Sequence, residues 1–478
     1  MCVLTLPAAG QSLAGLGAVS GTVIDATNAP VPGARVAVTN PNTGLLRRLV
    51  TNDSGYFIAP SLQPGPGYEV KIEKEGFATY EAKSVVLQVG QNVALNVQLT
   101  VAQQAQTVTV EESTPIVESA KTGVSQVVNS SQILNLPING RRVDSFVLLS
   151  PGVTADGTFG LLSFRGMPGG NAFLQDGNDT TNQFYNENAG RTRISSNISQ
   201  DSVQEFQVLS SGYSAEFGRA VGGVVNTVTK SGTNGVHGTG YWFFRNQDFN
   251  ARDRYASINP QESRHQGGGS IGGPIKKDKL FYFGNFEVTR RDFPVISSIL
   301  NPQFFNAGGT FIGTCGSPAT PQQCENAVNY FRRFFGTVDR NVSQNLGFLK
   351  LDWRPTDRQS ISASFNLLNW ESPNGIQTAA ALTNAGAIGN NGLSTVRTRW
   401  AKLSHTAVAS STVVNEFRFG WFKDRLADEP NYTLAPPGVR SAVTVQGQAN
   451  LGIKKVSTSG LGTNESGFLS TLRSGQTN

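Results

Sequence analysis

The sequence predicts a mainly β protein built from several domains, and three observations predict it. Among 478 residues there are 53 Gly and 22 Pro, and Gly is well above its usual ~7%. Charged residues make up only 15%, below the usual ~25%. Period-two alternation of apolar and polar residues recurs along the chain between turn signals, and 28 Phe, 10 Tyr and 5 Trp gather in such runs. This combination disfavours a helical bundle, a coiled coil and a charged disordered tail, and fits many short strands and turns. The length points to two to four domains rather than one core.

Taken in order, the first stretch is MCVLTLPAAGQS. It has an apolar run and a small-residue site at Ala8-Ala9-Gly10 but no positive n-region. Residues 1–17 are read as the remnant of a secretory signal. Residues 18–100 are read as a β-sandwich of about seven strands. Val93, Leu95, Val97 and Leu99 face one way while Asn92, Asn96 and Gln98 face the other, and Val85, Leu87 and Val89 repeat the pattern. Turns fall at Ala29-Pro30-Val31-Pro32-Gly33, Asn52-Asp53-Ser54-Gly55 and Pro64-Gly65-Pro66-Gly67. Residues 101–124, rich in Gln, Thr, Val, Glu and Ser, read as a linker.

Residues 125–234 read as a compact α+β domain. Ser131 is the expected cap of a short helix ended by Pro137, and a second short helix is expected at Val143–Leu149, before Pro151-Gly152. Asp176-Gly177 has the composition of a type I′ turn. Gly218, Gly222 and Gly223 lie in a β-like run, where glycine permits bends or close backbone approach. Arg165-Gly166 reads either as a guanidinium pairing with another domain or as a solvated surface arginine.

Residues 235–478 carry an aromatic strand texture. Ile361, Ala363, Phe365 and Leu367 alternate with Ser360, Ser362, Ser364 and Asn366; Val413, Phe417, Phe419 and Trp421 alternate with Val414, Glu416, Arg418 and Gly420. One apolar and one polar face suits a membrane barrel with a wet lumen, and equally a soluble sandwich. Tyr241-Trp242-Phe243-Phe244 and Phe281-Tyr282-Phe283 are candidate interface girdles.

Net charge is +6, but the basic residues are scattered as pairs such as Arg47-Arg48 and Arg141-Arg142, against a nucleic-acid face. Three Cys and three separated His exclude a disulfide framework and a Cys/His-rich metal site. Cys315 and Cys324, nine apart in a Gly/Pro/Asn stretch, are read as one disulfide closing a loop, with two unrelated thiols as the competing reading. There is no GxSxG elbow, HExxH helix, CxxC pair or phosphate loop, so an enzyme is disfavoured and no cofactor is expected.

The middle of the chain reads PINGRR at 137–142, LLSPGV at 148–153, SFRGMPGGNAFLQDGND at 163–179 and SVQEFQVLSSGYSAEFGRAVGGVVNTVTKSGTNGVHG at 202–238. This ordered set resembles the plug domain of TonB-dependent outer-membrane receptors, particularly the Oar-like group. GGSIGGPIKKDKLFYFGNFEVTRR at 268–291 is similar to the first barrel hairpin of that family. Residues 21–44 and 55–77 are similar to the carboxypeptidase-regulatory-like domain, a transthyretin-like, carbohydrate-binding-like sandwich.

The resemblance implies a transporter in the bacterial outer membrane with its N-terminal domain in the periplasm. It implies a TonB-type energy-coupling partner, surrounding lipid and an extracellular nutrient, an oligosaccharide or peptide before a metal chelate. Plug motifs at Arg165, Gly166, Asp176, Gly177, Gly218, Gly222, Gly223 and Asn226 would then be structural. Thr107-Val108-Thr109-Val110 is similar to a TonB box, an extended peptide given to a partner's sheet edge; the competing reading is a tail of the sandwich's last strand. The rival function is a surface adhesin or carbohydrate-binding protein without transport. A plugged barrel of ~22 strands at ~9–11 residues each needs ~220 residues for strands alone, and the chain ends in a polar stretch. The expectation is therefore an incomplete barrel, seen as an open curved sheet.

Overall fold

The computed structural model describes residues 15–101, 107–111, 124–155, 161–182, 197–214, 216–252, 259, 261–297, 312, 320–323, 325–326, 336–373, 382–383, 393–410, 413–429 and 476–477. The N-terminal part holds β1 (Gly17–Ile24), β2 (Arg35–Asn40), β3 (Leu45–Val50), β4 (Tyr56–Leu62), β5 (Gly65–Glu73), β6 (Thr79–Leu87), β7 (Asn92–Ala94), β8 (Val97–Gln98) and β9 (Thr107–Glu111). One sheet runs β4-β1-β7, with β8 also on β1; the other runs β3-β2-β5-β6-β9. Their inner faces bury Val19, Val36, Phe57, Leu62, Ile72 and Leu95 to 2% exposure or less, each worth about 1.5–3 kcal/mol for a large side chain. The row from Val93 to Leu99 faces this core, as its alternation predicts. Asn52 Oδ1 accepts from the Ser54 and Tyr56 amides and fixes the turn into β4.

The second part holds β10 (Val124–Val128), α1 (Ser130–Asn135), β11 (Val153–Ala155), β12 (Leu162–Phe164), β13 (Met167–Pro168), β14 (Ala172–Gln175), β15 (Asn178–Asp179), β16 (Val203–Ser211) and β17 (Val224–Thr229). A five-stranded sheet runs β10-β16-β17-β14-β15 beside a small β11-β12-β13 sheet. The cap of α1 is Asn129, not Ser131. Its side chain accepts from the Gln132 amide and Gln132 returns the bond, a capping box that satisfies two N-terminal donors. Val143–Leu149 is a 3-10 helix rather than an α-helix; seven residues capped by no side chain settle into the tighter turn.

The third part holds β18 (His237–Asn246), β19 (Ser263–Lys276), β20 (Leu280–Ser297), β21 (Gly336–Thr356), β22 (Gln359–Ser372), β23 (Leu382–Thr383), β24 (Leu393–Val408), β25 (Val414–Glu429) and β26 (Gln476–Thr477). They form one sheet in the order β18-β19-β20-β21-β22-β24-β25-β26, with β23 on β20. All neighbours pair antiparallel except β20 with β23. Among the described residues its two ends do not meet, so it is an open wall, as expected.

The wall decides between the two readings of the alternation. On β19 to β25 the polar side chains Gln266, Glu287, Gln344, Lys350, Asn366 and Asp424 are buried, while Phe286, Leu349, Trp353, Phe365, Phe419 and Trp421 are exposed by 41% to 55%. A soluble sheet does the reverse, and a contiguous exposed apolar face of this size belongs against lipid. The second part of the chain fills the concave, polar side. Phe281 and Phe283 correct the girdle expectation: both are buried, Phe283 within the core of the second part, because their parity on β20 is that of the lumen-facing residues. No described helix is long and apolar enough to cross a membrane.

Candidate functional site

The side chains that carry chemistry lie where the α+β domain, here the inner domain, meets the wall. The first cluster centres on Glu287, the single acid of the lumen face of β20 and 2% exposed. Ser199 Oγ donates to its Oε2 at 2.7 Å, Tyr241 OH to the same oxygen at 2.5 Å, and Gln266 Nε2 to Oε1 at 2.7 Å. Arg141 follows the left-handed Gly140 and is itself left-handed (φ 55°), which swings its guanidinium toward the wall. Its Nη2 binds Asp201 Oδ2 at 2.9 Å, its Nε lies 3.6 Å from Glu287 Oε2, and its carbon sits 4.0 Å from the Tyr241 ring centroid. Two inner-domain residues and one wall acid thus share one buried latch. Burial pushes the Asp201 carboxyl up, while Arg141 and Lys230 pull it back.

The second cluster surrounds Asp176. Asp176-Gly177 joins β14 to β15 with both residues at positive φ (47° and 75°), the type I′ geometry expected. Asn226 Oδ1 accepts from the Gly177 amide at 3.2 Å. The Thr229 amide and hydroxyl donate to the two Asp176 oxygens at 2.8 and 2.9 Å. From the wall, Lys350 Nζ donates to Thr229 Oγ1 at 3.1 Å and Lys402 Nζ to the Gln175 carbonyl at 2.5 Å. Burial alone would raise the Asp176 carboxyl; Lys350, Lys402 and the Thr229 bonds outweigh it and hold the group below the usual carboxylate value. Further along, Asn182 Nδ2 donates to Asp424 Oδ2 at 2.7 Å and Asn366 Nδ2 to the Asn197 carbonyl at 3.2 Å.

The expected plug residues are placed as follows. Arg165 and Gly166 form the two-residue turn between β12 and β13. The Arg165 guanidinium donates to the Gly222 carbonyl at 3.2 Å within its own domain, so the pairing with wall acids that it was offered for falls to Arg141. A Cβ on Gly223 would stand 2.3 Å from the Phe164 ring, a true close approach, whereas Gly218 has open space around it. Cys315 and Cys324 lie outside the described residues. Reading from sequence passed over Arg141, Asp201, Glu287, Lys350 and Lys402. For Glu287, Lys350 and Lys402 the available signal was a charge on the lumen-facing parity of a wall strand; Arg141 and Asp201 carried none.

The sandwich closes one end of this assembly. Asn234, between β17 and β18, donates to the Pro41 carbonyl at 2.9 Å and to Asp278 Oδ1 at 2.6 Å. Arg47 donates to the Asp357 carbonyl at 2.7 Å and Arg48 pairs with its carboxylate at 3.0 Å; Arg354 reaches the Thr43 carbonyl. A cavity of about 180 Å³ remains between sandwich, inner domain and wall, lined among others by Arg47, Asp176, Lys350, Arg354, Lys402 and Glu416. The Val89 amide donates to Glu205 Oε1 of β16 at 2.7 Å, and burial pushes that carboxyl up to about 8 despite the bond.

Because Glu205 binds its proton more tightly when docked, the contact is strongest below pH ~4.5 and weakens as pH rises toward 8, by at most ~1.4 kcal/mol per unit. Glu205→Gln keeps the acceptor and removes the titration. Protease release of the sandwich is expected to increase from pH 5 to 8.5 in the wild type and to stay flat in the variant; equal slopes would refute the assignment.

The candidate coupling residues Thr107–Val110 lie in β9, which pairs parallel with β6 from Thr79↔Thr107 to Lys83↔Glu111. The segment is therefore an edge strand of the sandwich, where a strand free in a linker was expected.

Known proteins are similar to parts of this chain. A family model described as an outer membrane beta barrel domain matches residues 228–331 and 314–478, more than half of the chain. A carboxypeptidase regulatory-like domain model matches residues 18–100. The TonB-dependent transporter Oar of Myxococcus xanthus is 29% identical over 283 residues, 56% of this chain and 26% of that protein. The probable TonB-dependent siderophore receptor PirA of Acinetobacter baumannii is 29% identical over 187 residues, 36% of this chain and 23% of that protein. The matches thus span about a quarter of those relatives' length. Among solved structures, the siderophore receptor PirA of Acinetobacter baumannii aligns with a TM-score of 0.43 at 18% identity, over 63% of this chain and 40% of that one. The outer membrane transporter YddB of Escherichia coli aligns with a TM-score of 0.44 at 14% identity, over 63% and 39%.

Proposed function

We propose that this chain, which belongs to the outer-membrane β-barrel family of TonB-dependent receptors, supplies the plug and wall of a transporter that brings in a solute too large for passive pores. It sits in the outer membrane with the sandwich in the periplasm, its apolar outer face against lipid. A TonB-type protein energises it by taking Thr107–Val110 as an added strand.

The observation that carries this reading is how the plug is held. Among the described residues, Phe283 and Phe348 join its core and Trp400 lines a small gap against Val143 and Phe173, while charges and amides make many of the other contacts from wall to plug: Arg141 with Glu287, Lys350 with Thr229, Lys402 with Gln175, Asn182 with Asp424. Water can replace such contacts when a plug shifts, at far less cost than exposing a continuous apolar interface. An adhesin needs no movable inner domain, so the same observation favours transport over adhesion.

For the substrate we favour an oligosaccharide or peptide, with a ferric chelate as the competitor that the name of the relative PirA supplies. Uptake of labelled glycans, peptides and ferric chelates by cells with and without the receptor separates these classes. Replacing Val108 and Val110 together by Pro removes two strand donors and is expected to abolish energy-dependent uptake while leaving surface binding intact. Uptake that persists in that variant, or binding without uptake in the wild type, refutes the transport reading.

A further inference from the structure

The geometry points to a presenting role for the sandwich: the β6 edge holds β9 already extended and turns the other edge of β9 outward, as the surface on which the periplasmic partner's sheet adds its strand. This inference rests on the coupling role proposed for Thr107–Val110.

Five consecutive residues of β9 are in parallel register with five of β6, and β6 pairs with β5 on its other side. In the order β3-β2-β5-β6-β9 the last strand is β9, so among the described residues its second edge has no neighbour. Successive residues of a strand direct their N–H and C=O groups to opposite sides. About half of the backbone groups of Thr107–Glu111 therefore serve β6, and the rest face away. The sequence Thr-Val-Thr-Val suits this, since β-branched residues favour the extended state.

The alternative is sequestration, in which the partner must first strip β9 from β6. Strand addition needs one edge only, and β6 already uses the other, so no bond to β6 has to break. A free segment must lose about 1–2 kcal/mol of backbone entropy per residue on becoming a strand. On β6 that loss precedes the encounter, which is preorganisation of the binding element. The occupant is a protein with an open sheet edge, and the product is a sheet continued from the sandwich into its partner.

The test uses the receptor in detergent with Cys2, Cys315 and Cys324 replaced by Ser. Glu81 and Thr109 face each other across the two strands, so Glu81→Cys with Thr109→Cys can be locked by oxidation. The probe is the purified periplasmic domain of the host's TonB-type protein, titrated calorimetrically. The oxidised receptor is expected to bind as tightly as the reduced one, or up to ~10-fold tighter because fraying is removed. Loss of binding on oxidation, restored by reductant, would show that β9 has to leave β6 and would overturn the proposal. Failure of the pair to oxidise would overturn it too, since β9 would not lie on β6. Unchanged binding by the variant with Val108→Pro and Val110→Pro is the separate result that removes the coupling role itself.

Discussion

Arg141→Ala is expected to loosen the plug by about 3–5 kcal/mol, the usual consequence of removing one partner from a buried ion pair. The guanidinium faces two carboxylates, Asp201 at 5% exposure and Glu287 at 2%. Without it both acids remain in the interface with no arginine between them. Glu287 keeps three donors from Ser199, Tyr241 and Gln266, so the damage concentrates on Asp201, whose carboxyl burial already pushes up. The stacking of the guanidinium on Tyr241, worth about 0.5–2 kcal/mol in such settings, is lost as well. Urea titration followed by limited proteolysis of the plug reads the effect. Arg141→Lys, which keeps the charge and loses the planar fork, is expected to fall midway. Combining Arg141→Met with Asp201→Asn, which removes both charges, is expected to recover more than half of the loss. A stability for Arg141→Ala within 1 kcal/mol of the wild type, of the order of a neutral surface change, would show that the latch is ornamental.

The same residues show how far the sequence could be read. Parity along β22 and β25 was legible because Ser360 to Leu367 alternate without interruption and Glu416 to Trp421 keep the alternation after the break at Asn415, and a strand has no freedom to place neighbouring side chains on one face. The type I′ turn at Asp176-Gly177 was legible because two successive positive φ values admit few residue pairs. The latch was not. Arg141 stood in the sequence as half of a basic pair, and nothing local distinguishes it from Arg142. Its role comes from Gly140, Asp201 and Glu287 converging across 60 and 146 positions, which only the fold specifies. Arg165 sits in the more distinctive motif, but its sequence left a cross-domain cation and a surface arginine both open; its own turn aims it at Gly222. Likewise, the four residues TVTV announce an extended segment but do not say which edge receives it. The pairing with β6 depends on where the sandwich leaves an edge open.

Asp176→Ala is the second change expected to have a large effect, of about 2–5 kcal/mol, because it removes one acceptor group and unbalances two cations at once. The Thr229 amide and hydroxyl lose their carboxylate. Lys350 and Lys402, each 7% exposed, are left in the cavity with carbonyl and hydroxyl partners but without the buried anion between sandwich and wall. Alanine also takes poorly to the left-handed backbone at this position. Asp176→Asn tolerates that conformation and keeps an acceptor for Thr229, so it isolates the charge and is expected to lose less. The pH dependence gives the sign. The folded carboxyl titrates below its ordinary value of 3.8, so its contribution is fully present above that value and disappears as pH falls through the lower folded one. As pH falls below 3.8 the wild-type plug should therefore lose stability that Asp176→Asn does not have to lose, and the two unfolding curves should converge. Curves that stay parallel would mean that the lysines are balanced elsewhere, and that Asp176 holds its turn rather than the wall.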